Sequence, residues 1–300
     1  PALDRFSKDG QFYRGDLNFI NWESVVGDQC LQWHAPYRRG RSYAFLSRPE
    51  NIEQAINRGI KFFALSNNHT RDCHQVSNET DWGQIIMLNE LEAIQHQYTE
   101  LSYHGVEFSN KNSPKIVKKI IKGKEITIAF STLYTGRESC PFATCLEDID
   151  EVLQNIKQAS VDLKILMIHS MSDQTKLVEI AKKFIKDSDG DIVFGSGPHR
   201  WKPIRLVEKG NQTYGIIFDS LGNFLHPSMA PQGKNIIGRV LFDLNTLELK
   251  QVQLIPVKND LLEVRLSQEN PASIESNMDW KTFNIQNNSG NNINGAYFNL

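Results

Sequence analysis

The stretch Phe62-Phe-Ala-Leu-Ser-Asn-Asn-His-Thr-Arg-Asp72 constrains the fold more than any other part of the chain. Phe62 to Ser66 are apolar or small, and with Lys61 they read as a buried strand. The run stops abruptly at Asn67, Asn68 and His69. Two amides and an imidazole therefore arrive together at the C-terminal end of a strand, the edge where open α/β sheets gather ligands. Amide oxygen and imidazole nitrogen both bind divalent cations, and imidazole also moves protons. The other reading of the same residues is an Asn-rich turn that caps the next helix.

Around this stretch the chain alternates. Pro49 to Arg58 reads as a helix closed by Gly59, with Pro49 early and Ile52, Ala55 and Ile56 on one face. A short strand, Leu17 to Asn21, precedes it, and Gly27 to Gly40 reads as loop. A polar loop, Cys73 to Asp81, leads to an amphipathic helix from Trp82 to Ser102. Ile85, Met87, Leu88, Leu91 and Ile94 approximate its apolar face. Gly105 is expected to close it, before a strand at Val106 to Phe108. Lys115 to Thr132 has hairpin character. Two further helix–strand units follow, Leu146 to Ala159 with Leu163 to Ile168, and Thr175 to Lys186 with Asp191 to Phe194. Strands are expected at Ile204 to Val207, Tyr214 to Asp219, Ile237 to Leu244 and Leu247 to Val257. This order predicts a layered α/β sandwich. From Glu269 the chain turns polar, and Asn284 to Asn294 reads as loose or irregular coil.

Three hundred residues suit one large domain or two small ones. A net charge of −2 gives no reason to expect nucleic acid. The five lysines between Lys115 and Lys124 could hold an acidic polymer or form a solvated strand face; the second reading is favoured. No run approaches the ~18 apolar residues of a membrane span. The first residue is Pro1, so the chain reads as processed or excised, and a signal peptide or anchor could precede it. Cys140 and Cys145 could form a local disulfide and Cys30 with Cys73 a second, or all four could be free thiols. Asn78-Glu-Thr80 and Asn211-Gln-Thr213 fit the glycosylation sequon, which an Asn-rich chain contains by chance.

Five strand ends share one chemistry. Asn21-Trp-Glu23 follows Leu17 to Ile20, and Asn67-Asn-His69 follows Phe62 to Ser66. His169-Ser170 follows Ile165 to Ile168, and Gly195-Ser-Gly-Pro-His199 follows Ile192 to Phe194. Asp219-Ser-Leu-Gly-Asn223 follows Tyr214 to Phe218. Singly, each is a turn or a hydrogen-bonded packing group. Jointly they supply carboxylate, amide and three imidazoles, the mix that binds Zn, Mn or Fe. Such a cation polarises a phosphoryl oxygen, and His69 could protonate a leaving group.

The pattern resembles the CapA-type capsule, or poly-γ-glutamate, synthesis proteins, whose fold is that of calcineurin-like metallophosphatases. The family's Asn-Leu-Glu is similar to Asn21-Trp22-Glu23, its Ala-Asn-Asn-His to Ser66-Asn67-Asn68-His69, and its Leu-His-Trp-Gly to Ile168-His169-Ser170-Met171. Its Gly-His-His-Pro-His run resembles Gly195-Ser-Gly-Pro-His199, and its Ser-Leu-Gly-Asn-Phe matches Ser220-Leu-Gly-Asn-Phe224 in full. The resemblance runs from about residue 12 to 256. It implies an α-β-β-α sandwich of metallophosphatase type over residues 1–268, with 269–300 as a polar tail. It implies Glu23, Asn68, His169 and His199 as metal ligands and His69 as catalytic acid. Asn21, Asn67 and Asn223 would face the substrate or support the ligands. It further implies a cell-envelope or extracellular protein, tethered through a segment upstream. Its partners would be an anionic polymer or phosphorylated precursor and other envelope synthesis proteins.

The chain departs from the family in three places. No strand ending in Gly-Asp precedes Asn21, either because it was removed with a missing N-terminus or because the protein lacks it; Ser196 and Gly197 replace two histidines, and Ser170-Met171 replaces Trp-Gly. The expectation is one cation rather than two, or none. Three readings follow: a metal-dependent phosphoryl hydrolase or transferase, a binding or scaffold component with an eroded site, and an unrelated α/β protein with structural polar groups.

Overall fold

The computed structural model describes residues 2–7, 9–30, 32–33, 43–74, 82–171, 173–210, 212–226, 232–260, 263–286 and 292–300. Most of the Gly27–Gly40 and Cys73–Asp81 loops lies outside them, as do Asn78 to Thr80 and Asn211.

The N-terminal part holds α1 (Ala2–Phe6), β1 (Phe19–Asn21), β2 (Val25–Val26), β3 (Gln32–Trp33) and β4 (Leu46–Ser47). Pro49 opens α2 (Pro49–Asn57), where its missing N–H is no loss. Then come β5 (Phe62–Ala64), β6 (Cys73–His74) and α3 (Trp82–Gln97). α3 stops short of the predicted Ser102, because Tyr98 and Leu101 close it through turn hydrogen bonds. Ile86, not Ile85, is buried on its inner face. The following strand is β7 (Ser102–His104), earlier than predicted. Gly105 ends this strand rather than the helix. Its φ is +107°, and a Cβ would lie 2.0 Å from Thr132 Oγ1 and 2.6 Å from the Ser66 nitrogen. Val106 keeps only an isolated bridge to Ala143.

β8 (Lys115–Ile121) and β9 (Lys124–Tyr134) form the predicted hairpin. Lys122 and Gly123, both at positive φ, give the turn its twist. Lys118 pairs with Glu125, Lys124 reaches the Leu244 carbonyl, and Lys115 and Lys119 lie over the rings of Tyr103 and Phe62. Lys115 and Lys119 thus lean on the chain's own rings, while Lys118 stays largely exposed.

A 3-10 turn (Leu146–Asp148) leads into α4 (Ile149–Gln158), β10 (Leu163–His169), α5 (Gln174–Asp187), β11 (Ile192–Ser196), β12 (Ile204–Gly210) and β13 (Thr213–Phe218). The chain ends with β14 (Gln232–Phe242), β15 (Leu249–Asp260), β16 (Glu263–Leu266), β17 (Lys281–Gln286) and β18 (Asn292–Asn299).

The strands β1-β5-β7 form one parallel sheet, and β12-β13-β11-β10-β9-β8 form a six-stranded sheet with a parallel centre. β14-β15-β18-β17 form an antiparallel sheet, with β16 on β15. Alternation along the strands sets the layers. Phe62 and Ala64 face a core with Phe130, Ile165 and Phe218, which Val252 and Leu254 of β15 help close. Phe63 and Leu65 face the opposite way, onto Ile52 of α2 and Met87 and Leu91 of α3. On β10, Ile165 and Met167 join the inter-sheet core, while Leu166 and Ile168 face Ile156 of α4 and Phe184 of α5. The order is helix, sheet, sheet, helix, the α-β-β-α arrangement that the resemblance implies.

Within the stretch predicted as coil, Asn284 to Gln286 and Asn292 to Asn294 instead lie in paired strands, while 287–291 fall outside the described residues. β17 and β18 pair from Lys281↔Tyr297 to Gln286↔Asn292, and β18 pairs with β15. The asparagines mask a period-two signal: Phe283 and Ile285 pack with Ile293 against Phe6, Phe12 and Tyr13.

Candidate metal and acid–base site

β10 runs in register with β11, so His169 lies opposite Ser196. β1 and β5 are likewise in register, with Asn21 opposite Ala64. Side-chain contacts of Asn21 and Asn68 with His169 join the two sheet edges.

His169 is 2% exposed. Its Nε2 lies 2.7 Å from Asn68 Oδ1, and its Nδ1 lies 2.9 Å from Ser196 Oγ and 3.4 Å from Asn21 Nδ2. One tautomer satisfies all three contacts: Nε2–H donates to Asn68, and Nδ1 accepts. Burial pushes the imidazole below its ordinary pKa, His199 and His69 act in the same sense, and Glu23 opposes them. His169 is therefore neutral near pH 7, the form that binds cations.

Asn67, 2% exposed, fixes the turn around it. Its Nδ2 donates to Asn21 Oδ1 at 3.2 Å and to the Trp22 carbonyl at 2.9 Å, while its Oδ1 accepts the His69 N–H at 3.0 Å. Asn21 Nδ2 in turn donates to Glu23 Oε2 at 3.1 Å. The other carboxylate oxygen, Glu23 Oε1, is buried with no hydrogen-bond partner among the described residues. It faces Nε2 of His169 at 3.7 Å and Nε2 of His69 at 3.9 Å.

His69 is oriented from behind. Its Nδ1 lies 2.5 Å from Asp72 Oδ2, which also accepts the Phe45 N–H at 2.7 Å. That pairing leaves Nε2 facing Glu23. The Cys30–Cys73 disulfide forms beside Asp72, with a Cα separation of 5.5 Å, and Cys140–Cys145 forms at 5.8 Å. Both separations suit a disulfide, so all four cysteines are paired.

His199 and Asn223 make a neighbouring pair, His199 Nδ1 to Asn223 Oδ1 at 3.0 Å. Among the described residues no hydrogen bond joins them to Glu23, Asn68 or His169. The His199 ring meets His226 edge-on, with centroids 5.3 Å apart. Burial, with His199 and His69 adding to it, pushes His226 down to about 4.

Sequence reasoning thus names Asn21, Glu23, Asn67, Asn68, His69 and His169, and the fold gathers them. It misses Asp72, His226 and Phe45. Asp72 and His226 each stand three residues beyond a named residue, His69 and Asn223, which is the only signal they give.

Among the described residues no three His, Cys, Asp or Glu side chains converge as a ready-made cation cage. The donors fit one cation when the amide is included. Bonds of ~2.0–2.2 Å place neighbouring ligand atoms roughly 3 to 3.5 Å apart, a spacing that the 2.7 Å and 3.7 Å separations about His169 Nε2 bracket. Ser196 Oγ takes the other ring nitrogen of His169. At Gly197, φ +121°, a Cβ would lie 2.2 Å from the Ser170 carbonyl oxygen, so no imidazole can stand there.

Residues 8–228 match the family described as bacterial capsule synthesis protein PGA_cap. No curated protein matches the chain. Among solved structures, the crystal structure of a hypothetical protein from Thermus thermophilus is similar at a TM-score of 0.42 and 10% identity, over 82% of each chain. The family match runs from before Asn21 to just beyond His226 and so takes in every side chain of this site; this chain belongs to the CapA-type bacterial capsule synthesis proteins of the PGA_cap family.

Proposed function

We propose that this capsule-synthesis protein is a hydrolase or transferase of phosphoryl, or acyl-phosphate, groups on a precursor of an anionic envelope polymer, assisted by one divalent cation. The observation that carries this reading is Glu23 Oε1, a buried carboxylate oxygen left without a hydrogen bond among the described residues, between two imidazole nitrogens. A buried, unsatisfied polar atom costs about 1–3 kcal/mol, more when charged, and a cation removes that cost. Glu23, Asn68 and His169 would hold it, with His199 close by. A bound cation supplies charge that polarises a phosphoryl oxygen.

The chain's own residues do the rest. Asp72 holds the His69 ring by Nδ1, so Nε2 is the atom that takes or gives a proton at the reacting oxygen. Asn67 fixes that ring through the His69 backbone. Asn21 positions Glu23, and Asn223 orients His199. Two disulfides suit an oxidising compartment, in keeping with the envelope or the exterior.

One observation favours the scaffold reading. Both ring nitrogens of His169 already have hydrogen-bond partners, so the site can persist without a cation and bind polymer without turnover. Elemental analysis after loading with Mn, Zn or Fe separates the two. About one equivalent, with phosphoester or acyl-phosphate turnover that His69→Asn loses while keeping the metal, supports the enzyme. No metal under any loading overturns it.

A further inference from the structure

We propose that Tyr134 is a substrate-contacting residue of this site, its hydroxyl donating a hydrogen bond to a non-bridging oxygen of the phosphoryl group. The inference rests on the phosphoryl reading above and adds a group that the sequence pattern does not name.

Tyr134 is the last residue of β9, and it lies opposite His169 in the parallel register of β9 with β10. The two side chains therefore leave the sheet on the same face. Period-two alternation along β9 shows what that face meets. Phe130 joins the inter-sheet core beside Phe62 and Ala64, and Thr132 Oγ1 comes 3.3 Å from His104 Nδ1 at the end of β7. Tyr134 is the next residue on that face, level with the turn that follows β5. Its ring lies 5.8 Å from the His169 ring, tilted at 45°, and packs in one cluster with Leu65. A shared acceptor ties it to the turn itself. The Thr144 carbonyl accepts the Tyr134 N–H at 3.0 Å and the Ser66 hydroxyl at 2.5 Å, one residue before Asn67. On the other side the Thr135 N–H donates to the His169 carbonyl at 3.0 Å.

The hydroxyl is what this packing leaves over. Tyr134 is 8% exposed, yet its oxygen is not sealed in, and it makes no hydrogen bond among the described residues. Burial raises the phenol's pKa, and the nearby Glu23 carboxylate adds to the rise. Gly136 makes room for the end of the ring: a Cβ there would lie 2.2 Å from the hydroxyl oxygen and 2.4 Å from the carbon that bears it. For packing alone, phenylalanine would serve. Buried tyrosines ordinarily give their hydroxyl a partner; a phosphoryl oxygen held between His69 and His169 supplies one, and its negative charge makes the bond a strong one.

The test is titration calorimetry of inorganic phosphate into the full chain loaded with Mn²⁺, or with Zn²⁺ where Mn²⁺ is not taken up, wild type against Tyr134→Phe. The substitution removes one oxygen and keeps the ring beside His169. Cation uptake should be unchanged, and phosphate should bind about tenfold more weakly, with kcat/KM on a phosphoester falling alike. Equal phosphate affinity in the two overturns the role of Tyr134 alone. A wild type that takes up the cation and binds no phosphate overturns the phosphoryl reading, and this proposal with it. No uptake of Mn²⁺, Zn²⁺ or Fe²⁺, seen before phosphate is added, overturns the one-cation reading and what is built on it. Gly136→Ala keeps the hydroxyl but displaces it, and should weaken phosphate in the same way; full affinity there overturns the proposal. Carbon NMR of the tyrosine rings in the wild type needs no variant to fold. Phosphate should move the Tyr134 Cζ signal, and an unmoved signal beside shifted His69 signals overturns the proposal.

Discussion

The three-stranded and six-stranded sheets deliver comparable chemistry from unequal amounts of backbone. β1, β5 and β7 are three residues each, and from their ends come Asn21, Glu23, Asn67, Asn68 and His69. β10 is seven residues long, paired along its length with β9 and over five residues with β11, and its end delivers His169. On the long side the ladder fixes the backbone at His169, and Asn68, Ser196 and Asn21 hold its ring. On the short side the position depends on what surrounds the ladder: the three hydrogen bonds of Asn67, the Cys30–Cys73 link and the stacking of Phe19 on Phe62 at 4.5 Å. The more chemistry-rich half of the site therefore stands on the less self-sufficient sheet.

Phe62 is where that comparison breaks most easily, because it is 1% exposed and packs β5 onto the six-stranded sheet. Phe62→Ala should cost about 3–5 kcal/mol, read as a lowered urea midpoint. If the three-stranded sheet is the weaker partner, hydrogen exchange should show amides of β5 and β7 opening before those of β10 and β11. Uniform opening would mean that the two sheets unfold as one unit.

The disulfides sharpen the point. Cys30–Cys73 spans 43 residues and Cys140–Cys145 spans 5. On the chain-entropy account their losses should cost about 4 and about 2 kcal/mol. Cys73→Ser should also disturb Asp72 and hence His69, so proton-transfer chemistry should fall with it. Cys140→Ser should lower the melting temperature and spare the site.

How far the sequence shows this division depends on contiguity. The run Phe62 to Ser66 is unbroken, so both its strand and the ligands at its end are legible, as they are for Ile165 to His169. Ile165 to Ile168 is apolar throughout, so which of them face the helices shows only in the folded strand. Where the signal is interrupted, it fails. The apolar pattern of α3 continues through Tyr98 and Leu101, which hides the turn before β7. Asparagines between Phe283 and Ile293 hide the last hairpin. Asp72, Asn235 and Asn259 are ordinary polar residues in sequence; folding alone places their oxygens against His69, Asn223 and His226. The cysteines permit pairing or free thiols, and only their Cα separations decide.

Acid acts on buried groups at the ends of both sheets. His104, at the end of β7, is 1% exposed, and burial pushes its imidazole from the ordinary 6.5 down to about 4. Between those values the unfolded chain binds a proton that the folded chain refuses. Stability from this group is thus complete above pH 6.5 and lost as pH falls to 4, by about 3 kcal/mol in all. His169 adds to the same trend. Glu107 opposes it: burial raises its carboxyl to about 7, so the folded state holds the extra proton between 4.5 and 7, and stability drops as pH rises through that range. His104→Gln should flatten the acid limb and leave the opposite slope of Glu107 exposed in pH-dependent urea melts. An unchanged limb would assign acid sensitivity to the site imidazoles of the six-stranded side.

Asn67 gives a small expected change in stability and the most telling one for the comparison. Asn67→Ala removes two donated bonds and one accepted bond, leaving the Trp22 carbonyl and the His69 N–H to find other partners. The cost should be about 1–3 kcal/mol, less than for loss of the Cys30–Cys73 disulfide. Cation uptake and turnover should nonetheless fall together, because Asn67 links Asn21, which holds Glu23, to the backbone of His69. If Asn67→Ala keeps full cation affinity and activity, the short sheet positions its ligands through its backbone after all, and the two sheets differ in length but not in kind. Loss of both at near-normal stability would place the precision of this half of the site in its side chains, with the ladder serving only to bring them within reach.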